Sequence, residues 1–243
     1  MRASRRVARV LAGRRTLASA RHTSEAFVNW LKAGGAEVDK LAITHSALGR
    51  GVVATASYEV GETLLRVPSH LLLTVETASA RGDVADALAS ARARGVHAND
   101  GNLALALFLA SDRSPHWQPY RNVISRSVSH LPCFWPVADE AALEGSPLLE
   151  DVARRRSEIR SDCDALGIKK TDERQAFAFA EAQVLSRAFE FSVGRARTRA
   201  MVPFADLMNT ARHHERHVDF SFEDGAFVMR AVKGGKRGEP VTD

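Results

Sequence analysis

Three short segments hold the residue types that could do chemistry. In Met201–Asn209 (MVPFADLMN) an apolar run ends in Asp206 and Asn209 just ahead of a polar stretch; read alone, Asp and Asn there are turn-makers. Arg187, in LSRAFEF, is flanked by Leu185, Ala188 and Phe189, which implies a guanidinium lodged in a mostly apolar helix face. A buried arginine needs an anion or a carbonyl, so its partner is either a structural ion pair or a bound ligand. Gly49-Arg50-Gly51 stands just before strand-forming residues, where missing Cβ atoms would let backbone amides approach a ligand closely. A tight turn explains two glycines as well, and the spacing lacks the third glycine and following helix of a dinucleotide site.

Other candidates fail on spacing. His213 and His217 in HHERH are four apart, but the intervening Glu is misplaced for a zinc HExxH motif and the run enters a strand. Lys233–Pro240 (KGGKRGEP) lacks the GxxxxGK[ST] order of a phosphate loop and reads as a basic turn. Cys133 and Cys163 are the two cysteines, in unrelated contexts, which predicts reduced thiols and a reducing compartment rather than a disulfide or a zinc site.

The elements that must position these residues fall in the order β, α, β. Ser24 is expected to cap a short helix running through Trp30 and Leu31 and ended by Gly34-Gly35. Gly51–Ser57 and Thr63–Pro68 are β-branched or apolar runs separated by Glu59–Glu62, with Gly61 at the bend, and predict a hairpin. Three- and four-residue apolar spacing then predicts helices over Val84–Arg94, Asn102–Asp112, Asp139–Leu166 and Thr171–Phe191. Asp100 or Asn102 and Thr171 stand at N-cap positions, and Gly167 at a C-cap. Between these helices, the prolines and aromatics of HWQPY to PCFWP suit an ordered, packed loop. Strands return at His217–Phe222, followed by the Asp224-Gly225 hairpin turn and AFVMRAV.

Composition bounds the partners. With 243 residues and 45% apolar content the chain can build a real core. The net charge of +5 is misleading, because residues 1–24 hold seven arginines and no acid, leaving 27 basic against 29 acidic residues elsewhere. A slightly acidic body argues against a nucleic-acid partner. The Arg-, Ala- and Ser-rich leader, with Val7, Val10 and Leu11 on one helical face, reads as an organelle transit peptide for a mitochondrion or plastid; a basic arm gripping phosphates is the alternative. No apolar stretch approaches the roughly 18 residues of a membrane span.

Taken in order, GRGVVAT, GETLLRVP, LLLTVETA, the HWQPY to PCFWP stretch, LEGSPLL, LSRAFEF, MVPFADLMN and GEPV resemble the SET-domain protein methyltransferases, specifically the group that includes the RuBisCO large-subunit lysine methyltransferase and the actin histidine methyltransferase. The resemblance covers roughly Ala26–Asp243. It implies an α+β fold: a split, knotted β core around S-adenosylmethionine (AdoMet), interrupted by a helical insert. The corresponding divisions are 1–24 (leader), 25–76 (first half of the core), 77–185 (insert) and 186–243 (second half). It also implies that Gly49, Arg50 and Gly51 lay backbone against the methionine part of AdoMet and that Glu76 reaches the same cofactor. Arg187 would meet the cofactor carboxylate, Asp206 would support the site, and Asn209 would hydrogen-bond the amino-acid end. Thr210 stands where the group usually has His, meeting the adenine largely through its backbone. In the group a Ser-Tyr-Gly-like segment follows GEPV and its Tyr lines the methyl-transfer channel; the chain is therefore expected to be a fragment or truncated, with no catalytic residue of its own.

The implied reaction is in-line attack of a neutral amine on the AdoMet methyl, with no metal. A lysine of pKa about 10.4 must first lose a proton near neutral pH, at a cost of roughly 3 to 5 kcal/mol that a desolvated channel reduces; alignment in a narrow tunnel supplies the rest. The expected partner is a non-histone protein, offering lysine in preference to histidine, and the expected state is a monomer. The rivals are a non-catalytic SET-like interaction module and an organellar nucleic-acid-binding protein.

Overall fold

The computed structural model describes residues 22–46, 49–95, 100–124, 128 and 130–243. The leader expectation lies outside them. Two compact units are present. The first comprises the chain up to Leu71 together with Arg113–Ile124 and Pro203–Asp243; the second comprises Leu72–Asp112 and Ser125–Val202.

The first unit opens with helix α1 (22–33). The helix already runs at residue 22, so Ser24 lies inside it and does not cap it. The glycine stop is as expected: Gly35 takes φ +83°, its N–H donates to Lys32 O and that of Ala36 to Leu31 O, the two bonds of a Schellman ending. Strands β1 (Glu37–Val38), β2 (Leu41–Ser46), β3 (Gly49–Ala54) and β4 (Thr63–Pro68) follow, then helix α5 (Gln118–Val123) and strands β8 (Val218–Glu223), β9 (Ala226–Ala231) and β10 (Pro240–Val241).

These strands form two sheets, ordered β1-β4-β9-β8 and β10-β3-β2. The expected β3–β4 hairpin does not form. β3 pairs with β2, a strand that its Ala, Thr and Ser content conceals, and with β10; β4 turns to β9, aligning Leu65 with Met229 and Val67 with Phe227. Those four side chains are fully buried, and burying each pair of large apolar residues across strands outweighs the convenience of a short connection. The β8–β9 hairpin is as expected, with positive φ at both Asp224 and Gly225. Tyr58, buried in the β3–β4 connection, bridges to Gly235 through two backbone hydrogen bonds of 3.0 and 3.1 Å, and its ring lies where a Cβ on residue 235 would sit.

The second unit holds β5 (Leu73–Thr74), α2 (Val75–Ser79), α3 (Gly82–Ala93), α4 (Asp100–Ser111), α6 (Leu148–Ala165), α7 (Thr171–Arg187), β6 (Phe189–Val193) and β7 (Ala196–Met201). Helix α4 carries no charge between Asp100 and Asp112 and buries every residue from Asn102 to Phe108, so it is the central helix, packed on α2, α3 and α7. Two helix expectations change. Asp139–Leu166 splits into a 3₁₀ turn (Val137–Leu143) and α6, because Gly145 and Pro147 interrupt it. Thr171 is the first residue of α7 and not its cap. The helix predicted to Phe191 ends at Arg187, and Phe189–Val193 becomes a strand with Phe189 and Phe191 buried.

Of the HWQPY to PCFWP stretch expected as an ordered, packed loop, HWQPY leads into helix α5 and residues 125–127 and 129 lie outside the described residues, while one side chain organises the half-buried PCFWP segment. Arg156 on α6 donates to the carbonyls of Cys133 (2.9 Å), Trp135 (2.8 Å) and Pro132 (3.4 Å) and pairs with Glu140. Cys133 and Cys163 are free thiols; burial pushes Cys163 up to about 11 and raises Cys133 as well. Among the described residues no helix is long and apolar enough to cross a membrane.

Arg156→Ala strands three part-buried carbonyls and is expected to destabilise the chain by about 1 to 3 kcal/mol. Arg156→Lys should recover less than half of that, because an ammonium lacks the planar fork that reaches several acceptors at once. Urea midpoints at unchanged slope measure both.

Candidate functional site

The site residues of the first unit converge from three distant stretches of sequence. Gly49, Arg50 and Gly51 are not a turn: they begin strand β3, opposite Ser46, His45 and Thr44 of β2. On the other side of β3, Val52 and Val53 face Val241 and Pro240 of β10. The GEPV segment is thus the strand laid beside GRGVVA.

The third stretch is Pro203–Asn209. Phe204 holds φ +80° and ψ −50°, the geometry of a γ-turn centre and a strained one for any residue with a Cβ. Such a conformation costs about 1 to 3 kcal/mol and persists only where packing dictates it. Here the Phe204 ring is fully buried and stacks on Phe27 at 6.5 Å, in a cluster that continues through Tyr120 and Trp30 to Trp117. The turn lets the chain enter a single 3₁₀ turn, Ala205–Leu207, which packs against β3.

Asp206 lies in that 3₁₀ turn and is buried, so it is not a solvent-facing turn-maker. It accepts a 2.5 Å hydrogen bond from the Tyr120 hydroxyl, itself fully buried. A phenol donating to a carboxylate is a charge-assisted bond, stronger than a neutral one. Sequence reasoning did not single out Tyr120; the aromatic-rich HWQPY stretch was the only available signal.

Asn209 and Thr210 emerge at the surface. Asn209 forms a parallel bridge with Thr242: Asp243 N–H donates to Asn209 O at 3.3 Å, and Ala211 N–H donates to Asp243 O at 2.8 Å. Burial raises the Asp243 carboxyl above its ordinary value, against a smaller lowering influence from Thr210. Thr242 in turn accepts from the N–H groups of His217 and Val218 and meets His217 Nδ1 through its hydroxyl at 2.9 Å. The decisive contact is between Gly51 and Asn209. A Cβ at position 51 would stand 2.8 Å from Asn209 Nδ2, so the glycine gives the amide its place. Backbone of β3 and a polar side chain from a remote loop therefore form one glycine-walled niche.

Glu76 and Arg187 belong to the second unit. Glu76 is exposed in the first turn of α2, whose N-cap Thr74 accepts from Thr77 N–H at 3.1 Å. Arg187 ends α7 and is half-buried, not fully lodged in an apolar face; its Nε donates to Gln183 Oε1 at 2.7 Å, so a neighbouring amide is one partner. Among the described residues no group of three or more His, Cys, Asp or Glu could hold a metal ion.

No protein-family model and no curated protein sequence matches the chain. Solved structures do, and they show the SET-domain fold that the sequence motifs imply. The SET domain of LSMT bound to lysine and AdoHcy is 20% identical at a TM-score of 0.70, covering 90% of this chain and 53% of that one. Rubisco LSMT bound to AdoMet is 21% identical at 0.70, with 90% and 52% covered. The chain thus spans about half the length of the structures it matches.

Tyr120→Phe leaves the Asp206 carboxylate short of its phenolic donor and is expected to cost about 1 to 3 kcal/mol. A thermal melt of the purified protein reads the loss, and an unchanged midpoint would show that the bond contributes nothing net.

Proposed function

We propose that this chain carries the cofactor-binding part of an AdoMet-dependent protein-lysine methyltransferase acting on a non-histone protein. The observation that carries the reading is the niche in which Gly51 makes room for the Asn209 amide, within a fold whose solved examples hold AdoMet or AdoHcy and lysine or methyllysine. The residues present fit such a cofactor: a strand without a Cβ atom at Gly51 and an exposed amide beside it.

In this reading the β3 backbone at Gly49-Arg50-Gly51 lies along the methionine part of AdoMet, and Asn209 hydrogen-bonds its amino-acid end. Thr210 offers backbone to the adenine and Asp206 fixes the turn from which Asn209 projects; Glu76 and Arg187 are proposed as further cofactor contacts, Arg187 toward the carboxylate. AdoMet supplies the electrophilic methyl on a sulfonium when bound. The divisions 25–76, 77–185 and 186–243, the knot that would thread them, and an organellar address for a mitochondrion or plastid all belong to the same proposal. Lysine is preferred to histidine as acceptor because the matched structures hold lysine or methyllysine.

A non-catalytic SET-like module is the second reading, and one observation favours it: Thr210 stands where the group usually has His. Titration calorimetry of the chain with AdoMet separates the two. Saturable binding that Gly51→Ala and Asn209→Ala each weaken by roughly tenfold, with little change in melting temperature, supports the cofactor site. No binding at all supports the module. For the full-length form, transfer of a tritiated methyl group to lysine in organellar protein extracts, lost on addition of AdoHcy, is the expected activity.

A further inference from the structure

The three-stranded sheet of the second unit, ordered β5-β7-β6, ends in an arm. Strand β5 covers only Ala200 and Met201 of β7, whereas β6 continues along β7 as far as the Val193–Ala196 pair. Beyond Ala200 the hairpin therefore pairs only with itself within its sheet, and every residue from Ser192 to Arg197 is exposed. Strand alternation divides the arm into two faces. Phe189 and Phe191 share one with Ala200 and Thr198; Glu190 and Ser192 share the other with Arg199 and Arg197. Arg195 stands at the turn.

The polar face carries two arginines against one acid, with the Arg199 side chain 28% exposed. The Arg197 side chain is 79% exposed, and Glu190 divides its carboxylate between Arg197 at 3.3 Å and Arg199 at 3.5 Å. One acid against three arginines leaves the segment Phe189–Met201 two positive charges in excess. Charges on exposed strands often serve only to prevent edge-to-edge aggregation, a role lysine fills well. Here all three cations are arginine, whose planar fork takes a carboxylate through two parallel hydrogen bonds. Arg197 and Arg199 are separated by about 7 Å along the strand, the repeat of alternate residues in an extended peptide. Open strand edges beside them offer backbone groups for a further strand.

We propose that this arm docks an acidic segment of a partner protein, an extended strand whose alternate carboxylates meet Arg197 and Arg199. Polyphosphate is the weaker fit, because Glu190 lies on the same face and the body of the chain is slightly acidic. The surface goes beyond the methyl-transfer reading, since it is present and measurable whether or not a methyl group moves.

Fluorescence anisotropy of the whole protein, without AdoMet, with a labelled peptide alternating glutamate and serine tests it. The peptide is expected to bind, its affinity falling as salt rises, while the version with lysine for glutamate does not. Reversing both charges, Arg197→Glu with Arg199→Glu, should weaken binding by about tenfold or more. Glu190→Gln removes the internal competitor and should tighten it by roughly twofold, a gain that no loss of folding can mimic. Unchanged binding by the reversed variant, no gain from Glu190→Gln, or tighter binding of a single-stranded oligonucleotide than of the acidic peptide overturns the proposal. None of these outcomes bears on AdoMet binding, so the two readings fail separately.

Discussion

The hydrogen bond from Tyr120 to Asp206 is the fixed point from which the candidate site is built. A buried carboxylate is expensive unless donors surround it, and this one sits in the single 3₁₀ turn that redirects the chain from Phe204 to Asn209. The aromatic cluster around Tyr120 supplies the remaining restraint by stacking on Phe204 and holding its backbone in the left-handed region. Release either partner and the turn loses its reason to exist. Asn209 would then no longer be aimed at Gly51.

The second constraint is topological. Every contact that defines the niche joins residues far apart in sequence: β3 to β10, Gly51 to Asn209, Asn209 to Thr242. Such closures form late and slowly, because loop entropy is lost before the contacts repay it. The niche is therefore a product of the completed fold of its unit, and no local segment can preform it. Local order resides elsewhere, in the β8–β9 hairpin and in the helices of the second unit.

This division explains what could be read in the sequence. The Asp224-Gly225 turn, the glycine stop after α1 and the uncharged run of α4 are local signals, and each specified its element. Strand partners were not legible. Alternation shows that Thr63–Pro68 is a strand with a buried face, yet carries no information on which strand covers it, so proximity suggested β3 where burial selected β9. The short strand β2, LAITHS, lacks a strong apolar pattern and owes its conformation to pairing with β3. Phe189-Glu190-Phe191 fits both a helical and an alternating template, and burial of both phenylalanines in a strand decided between them. For the site, residue identities were legible and their particular partners were not: neither the Gln183 amide that meets Arg187 nor the Tyr120 phenol that meets Asp206 could be picked out from the sequence.

Tyr58 and Gly235 show how far the site's requirements reach. The tyrosine ring fills the space of a side chain at 235, and the stretch that begins there leads directly into β10 through Gly238 N–H to Ala54 O and Ala54 N–H to Glu239 O. Any larger residue at 235 must displace either the Tyr58 ring or this stretch, and a shift of the stretch would carry β10 with it. The edge of β3 that carries Gly51 would then lose its neighbour. A position remote from Asn209 in sequence and set against a tyrosine thus acts as a keyway, and genetic variation there would be felt at the niche as misalignment of a strand that itself remains chemically intact.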